Sequence, residues 1–276
     1  MDVLTRSFDP NRQGYGGPLL PFRLWVLAPF AAAGLLGVAA GQLGLTSLEV
    51  VKVLGVASFH GGLLAASMAA AWEGAPGWSA PAALVALSLL IAAAACIAAP
   101  WGCLGYLLPP IVMARVAVRH PECLRMGLAL RADWRRVALG GALGCFLGAH
   151  LLLSASRTFG YPVRLSPPAP YLSAVLYDAG ANVLSAECFF RGTLFDRWQR
   201  RWGFWPGALA ATGLSVLRYL VDPALPGVVE IVAAAIFYLA LLSLSGCALL
   251  WYSGSLLPSL AASLAFFGAY RLLRVW

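Results

Sequence analysis

Glu187 and Arg191 stand four residues apart in the stretch Ser185-Ala186-Glu187-Cys188-Phe189-Phe190-Arg191-Gly192, inside an apolar run that begins near Tyr171. On a helix that spacing puts both side chains on one face about a turn apart, with the acid on the N-terminal side. An acid and a base sunk in an apolar helix are costly unless they pair, so the two residues mark a candidate site. Asp178 and Asn182 share a face one turn apart earlier in the same run, and an Asp at that depth also calls for a partner. Arg218, in the following apolar run, is the expected partner of Asp178 or Glu187, which would close an ionic network. The alternative for Arg218 is that its long stem carries the charge out to an interface. His60 and His150 lie in apolar runs and read as packed or interfacial histidines, whereas His120, beside Pro121 in a basic segment, reads as solvated. Should the chain carry out acid–base chemistry, the available groups are Glu187, Asp178 and His150. The cysteines at 96, 103, 123, 145, 188 and 247 stand singly with no CxxC or Cys/His spacing, so neither a disulfide framework nor a structural zinc is indicated. No bound metal and no cofactor are expected.

The elements that must carry these residues belong to a membrane. With 61% hydrophobic and 11% charged residues in 276, and a mean hydropathy of +0.81, a water-facing surface could not be covered. The net charge of +8 gathers as arginines in short segments between apolar runs, which the positive-inside rule explains without nucleic acid. Residues 1–20 read as a polar cytoplasmic tail. Apolar runs follow at about 22–42, 51–72, 80–118, 137–154, 171–195, 205–221, 228–251 and 255–272. The run over 80–118 is about twice the length of one crossing, and Pro100-Trp101-Gly102 is its expected break. The expectation is an all-α polytopic bundle of about eight or nine transmembrane helices in the cytoplasmic (inner) membrane, N-terminus inside. The Arg-rich segment 115–136 and the basic turn 197–203 then share the cytoplasmic side. No linker divides the chain, which reads as one unit: the tail, N-terminal helices and basic segment over 21–136, and a core over 137–276.

The stretch from Ala186 to Ala211 resembles the signature of the CPBP family, the intramembrane endopeptidases that include CAAX prenyl proteases and bacteriocin-processing or immunity proteins. That signature reads EExxxR, often followed by Gly, with a basic segment ending in Gly-x-x-Pro. Glu187, Arg191 and Gly192, then Arg197, Arg200, Arg201, Gly203 and Pro206 match it. Gly254-Ser255-Leu256-Leu257-Pro258 is similar to the family's third motif, and the resemblance is specific over about 125–270. In active relatives the first Glu activates water, and two histidines and an Asn from later helices complete the site; a water-activating base and oxyanion donors are what that chemistry requires. Carried over residue by residue, those positions are Ala186, Arg218, Ser263 and Phe267. An alanine methyl takes no proton, and an Arg stays protonated at neutral pH. Glu187 and Arg191 correspond to a structural pair. The resemblance therefore implies a catalytically silent member that binds a membrane-embedded or lipidated peptide or protein. A working endopeptidase with a rebuilt site and a transporter component are the alternatives.

Overall fold

The computed structural model describes residues 19–20, 22–73, 75–129, 133–162, 167–220 and 229–272. The expected tail lies almost wholly outside them, as does Arg131 of the basic segment. Among the described residues every regular element is helical. A 3₁₀ turn, Leu24–Leu27, leads into α1 (Ala28–Gln42), and α2 (Leu48–Ala71) follows with Ser47 as its N-cap. Helix α3 (Ser79–Ala98) ends at the expected break, and a 3₁₀ turn over Gly102–Leu107 opens α4 (Leu108–Arg119). Pro109 and Pro110 stand in the first turn of α4, where no backbone N–H is needed. Helix α5 (Trp134–Arg157) starts at Asp133, whose Oδ1 accepts from the Arg135 N–H at 3.0 Å.

A long rod over residues 168–202 comes next. It consists of α6 (Pro168–Tyr177), a π-helical turn Asp178–Asn182, α7 (Val183–Ala186), a π-helical stretch Glu187–Phe195, and α8 (Asp196–Trp202). Gly203 ends it at a φ of +85°, a conformation that L side chains rarely adopt. Helices α9 (Phe204–Leu220), α10 (Val229–Ser253) and α11 (Leu257–Tyr270) complete the bundle.

Among the described residues, six helical segments are long and apolar enough to cross a bilayer by length and composition, against the eight or nine expected of the whole chain. The rod is interrupted by π turns, α11 is 14 residues long, and α9 runs up to the edge of the described residues at Leu220. The protein is thus an all-α chain with the make-up of a multi-pass membrane protein. Every residue of the rod from 180 to 195 is buried, so it forms the centre around which the others pack. At the other extreme, Leu35 and Leu36 on α1 are 71% and 70% exposed, which suits hydrocarbon and not water.

In lipid, helices gain nothing from hiding apolar surface from one another, and close van der Waals approach must hold them together. Gly140, Gly144 and Gly148 supply it on α5. A Cβ at Gly140 would stand 2.0 Å from the Pro258 carbonyl oxygen, one at Gly144 2.0 Å from that of Ala262, and one at Gly148 2.5 Å from the Ala269 side chain. Helices α5 and α11 therefore touch backbone to backbone. The cap at the start of α5 is a smaller contribution. Asp133→Ala is expected to lower stability by about 1 kcal/mol, read as a drop in the unfolding midpoint in micelles.

Candidate functional site

The rod, α9, α10 and α11 converge on Glu187. Its Oε1 lies 3.6 Å from Arg191 Nη1, and the two side chains are 2% and 4% exposed. Ser263 Oγ, from α11, donates to Oε1 at 2.7 Å, and Ser259 Oγ, one turn earlier, donates to Oε2. Arg191 Nη1 also donates to Ser215 on α9 at 3.2 Å. Gly246 on α10 leaves room for this group, because a Cβ there would come within 2.8 Å of Ser259 Oγ and 3.3 Å of Arg191 Nε. An ionised carboxylate only accepts, and here both oxygens already receive donors from the protein. The arrangement ties α9 and α11 to the centre of the rod, with α10 packed close against it at Gly246.

Beside the pair is a void lined by Ala186, Glu187, Ser215, Tyr219, Ser263 and Phe267, among others. Three of the four positions singled out from the sequence, Ala186, Ser263 and Phe267, thus face one space. It leaves about 10 Å³ for the centre of a water molecule, the threshold for a single water and far below a peptide. The Ala186 methyl offers that water no acceptor, and Ser263 is turned to Glu187. What the group can do chemically is hold a water and clamp helices.

A second polar cluster lies one to two turns up the rod. Arg271, just past α11, binds Asp178 as a fork, with Nε to Oδ2 at 2.7 Å and Nη2 to Oδ1 at 2.8 Å. Asn182 Nδ2 donates to Asp178 Oδ1 at 2.9 Å, and Arg218 Nη2 donates to Asn182 Oδ1 at 2.7 Å. The direct pairing of Arg218 with Asp178 or Glu187 is therefore corrected. Arg271 takes the aspartate, and Arg218 reaches it only through an amide that can accept on one side and donate on the other. Nor does Arg218 run free to an interface: its Cζ lies 4.6 Å from the ring centre of Tyr219 and 5.3 Å from that of Phe59.

His60 is buried against the rod, with Nδ1 2.7 Å from Ser185 Oγ and Nε2 2.9 Å from the Tyr177 hydroxyl. Both ring nitrogens are engaged. His150 instead bonds Tyr238 (2.6 Å) between α5 and α10. Glu187, Asp178 and His150 thus belong to three separate hydrogen-bonded groups, and among the described residues no hydrogen bond joins one group's acid or imidazole to another's. No three His, Cys, Asp or Glu side chains converge on a metal-sized space among those residues. In the turn Pro121–Met126, burial and then the neighbouring Glu122 carboxylate push the Cys123 thiol up to about 12, which leaves it protonated and inert.

Arg271 and Ser259 were missed at the level of sequence, and Ser263 was singled out there only as a degenerate catalytic position, not as a donor to Glu187. An Arg at the very end of the last apolar run, with Arg274 just beyond, looks like an interfacial anchor, and Ser259 betrays itself only by standing four residues before Ser263. Comparison with family models, with curated proteins and with solved structures finds no match to this chain.

Proposed function

We propose that the chain is a catalytically silent relative of the CPBP intramembrane peptidases, seated in the cytoplasmic membrane with its N-terminus inside. It acts by contact with a membrane-embedded or lipidated peptide or protein. One observation carries this reading: the Glu187 carboxylate is held by Ser259, Ser263 and Arg191, next to a one-water void whose wall at 186 is a methyl group. A hydrolytic site needs a carboxylate or imidazole within reach of its water, and this void presents a salt-bridged acid in place of a free base. Ser263 and Phe267, standing where the family resemblance puts a His and an Asn, brace and fill. With the void closed to a peptide, partner contact falls to the outer helix faces.

The test uses the purified protein in lipid vesicles with a fluorescent single-span peptide and a prenylated peptide. One or both are expected to co-purify with it and to be recovered uncut by mass spectrometry. Cleavage that disappears in Glu187→Gln would establish the working peptidase instead. Absence of any association would remove the binding role.

A further inference from the structure

Helix α4 divides its residues between the bundle and the bilayer. Met113, Val116 and Ala117 are buried, and the exposed positions are Ile111, Arg115, Val118 and Arg119. With 3.6 residues to a turn those four fall within about 100° of one another, so they form a single strip along the outside of the helix. Ile111 is 63% and Val118 65% exposed, and the apolar surface continues away from the arginines at the exposed Leu107 and Leu104. Such a strip suits hydrocarbon over most of its length.

The two cations stand out against it. Arg115 and Arg119 are four residues apart and carry the same charge, an arrangement that weakens a helix unless something of opposite sign comes between. Their depth says what that is. His120, which closes α4, lies against Trp72 just past the end of α2, with ring centres 5.5 Å apart. In the following turn Arg125 meets Glu73 at 3.2 Å, and both side chains are about half in solvent. Arg119 therefore stands at the polar boundary of the bundle, and Arg115 about 6 Å further in, where the phosphates of a leaflet begin to give way to its chains.

We propose that the outer strip of α4 binds one anionic phospholipid, its phosphate between the Arg115 and Arg119 guanidinium groups and an acyl chain along Ile111 and Leu107. The phosphate removes the repulsion between the two cations, and a guanidinium can meet its oxygens through two parallel bonds. A neutral lipid would cover the apolar part and leave the charges uncompensated. Each Arg beside an anionic headgroup strengthens binding about fivefold. Neither residue belongs to the Glu187 group, so the site is independent of the peptidase resemblance.

The full chain, purified in a non-ionic detergent, is titrated with phosphatidylglycerol or phosphatidylcholine, and the lipid retained is counted by native mass spectrometry. Phosphatidylglycerol is expected to stay bound as a single tight copy, in preference to phosphatidylcholine and in the presence of millimolar inorganic phosphate. Arg115→Gln/Arg119→Gln should weaken its apparent affinity about tenfold or more. Arg115→Lys/Arg119→Lys, which keeps the charges and loses the forks, should weaken it about threefold. Arg23→Gln/Arg135→Gln takes the same charge from other exposed positions at that end of the bundle and should leave it within about twofold. Undiminished retention in the Arg115/Arg119 Gln variant overturns the proposal, and if that variant does not fold, an unchanged affinity in the Lys variant does so. An equal loss in the Arg23/Arg135 variant, equal retention of phosphatidylcholine, displacement by inorganic phosphate, or recovery as a lipid-free dimer overturns it as well.

Discussion

Gly144→Leu is expected to cost about 3 kcal/mol or more. The nearest atoms to a Cβ at 144 are the carbonyl oxygen of Ala262 at 2.0 Å, its carbon at 2.8 Å and its Cα at 2.9 Å. All three are backbone, so no side chain can turn aside, and α5 and α11 must separate. Separation would pull Ser259 and Ser263 off Glu187, and the loss of packing would be joined by the loss of two hydrogen bonds to a buried charge. Gly141 is the matched control. It has no atom within 4 Å of a built Cβ, and Gly141→Leu is expected to stay within about 0.5 kcal/mol of wild type. Equilibrium unfolding of both variants in bicelles measures the difference. Equal stabilities would mean that α5 and α11 do not meet backbone to backbone.

The second large effect is at the ion pair. Arg191→Met leaves Glu187 with two serine hydroxyls and no counter-charge, and Glu187→Met leaves Arg191 with Ser215 alone. Each is expected to cost about 3–5 kcal/mol, the penalty of stranding one buried charge. The double variant Glu187→Met/Arg191→Met removes both charges and keeps the volume filled, so its cost should be well below the sum. A double-mutant cycle on unfolding free energies checks this, with an expected coupling of about 2–3 kcal/mol. Additive costs would show that the two charges are not energetically joined and that the 3.6 Å approach is incidental.

Helix positions were largely legible in the sequence, because in a bilayer a crossing must be apolar over a set length. The runs at 51–72 and 228–251 reappear as Leu48–Ala71 and Val229–Ser253. The break in 80–118 was legible for the same reason: a Pro and a Gly beside a Trp cannot continue a helix. The pairing of charges was only half legible. Glu187 and Arg191 are neighbours on one helix, so spacing alone predicts their meeting. Asp178 had two cations to choose from, and which one reaches it depends on how α9 and α11 lean against the rod. The π turns were not legible at all. Nothing in Asp178-Ala-Gly-Ala-Asn182 distinguishes a widened turn from an ordinary one, because it is the neighbours that decide whether the backbone loosens. Gly140, Gly144 and Gly148 stand four residues apart and so share a helix face, but only the structure identifies α11 as what that face receives.

Arg271, Ser259 and Ser263, which satisfy the two acids of the rod, lie on or just beyond α11 and are translated some seventy to ninety residues after those acids. During synthesis the rod is therefore made before most of the donors to its acids exist, with Arg191 already paired to Glu187 along the same helix. Until that late segment arrives, Asp178 has only the Asn182 amide of its own rod as a donor among the described residues. Satisfaction of the two acids is thereby conditional on the end of the chain: a polypeptide that stops before residue 259 lacks every donor that α11 and Arg271 bring to them.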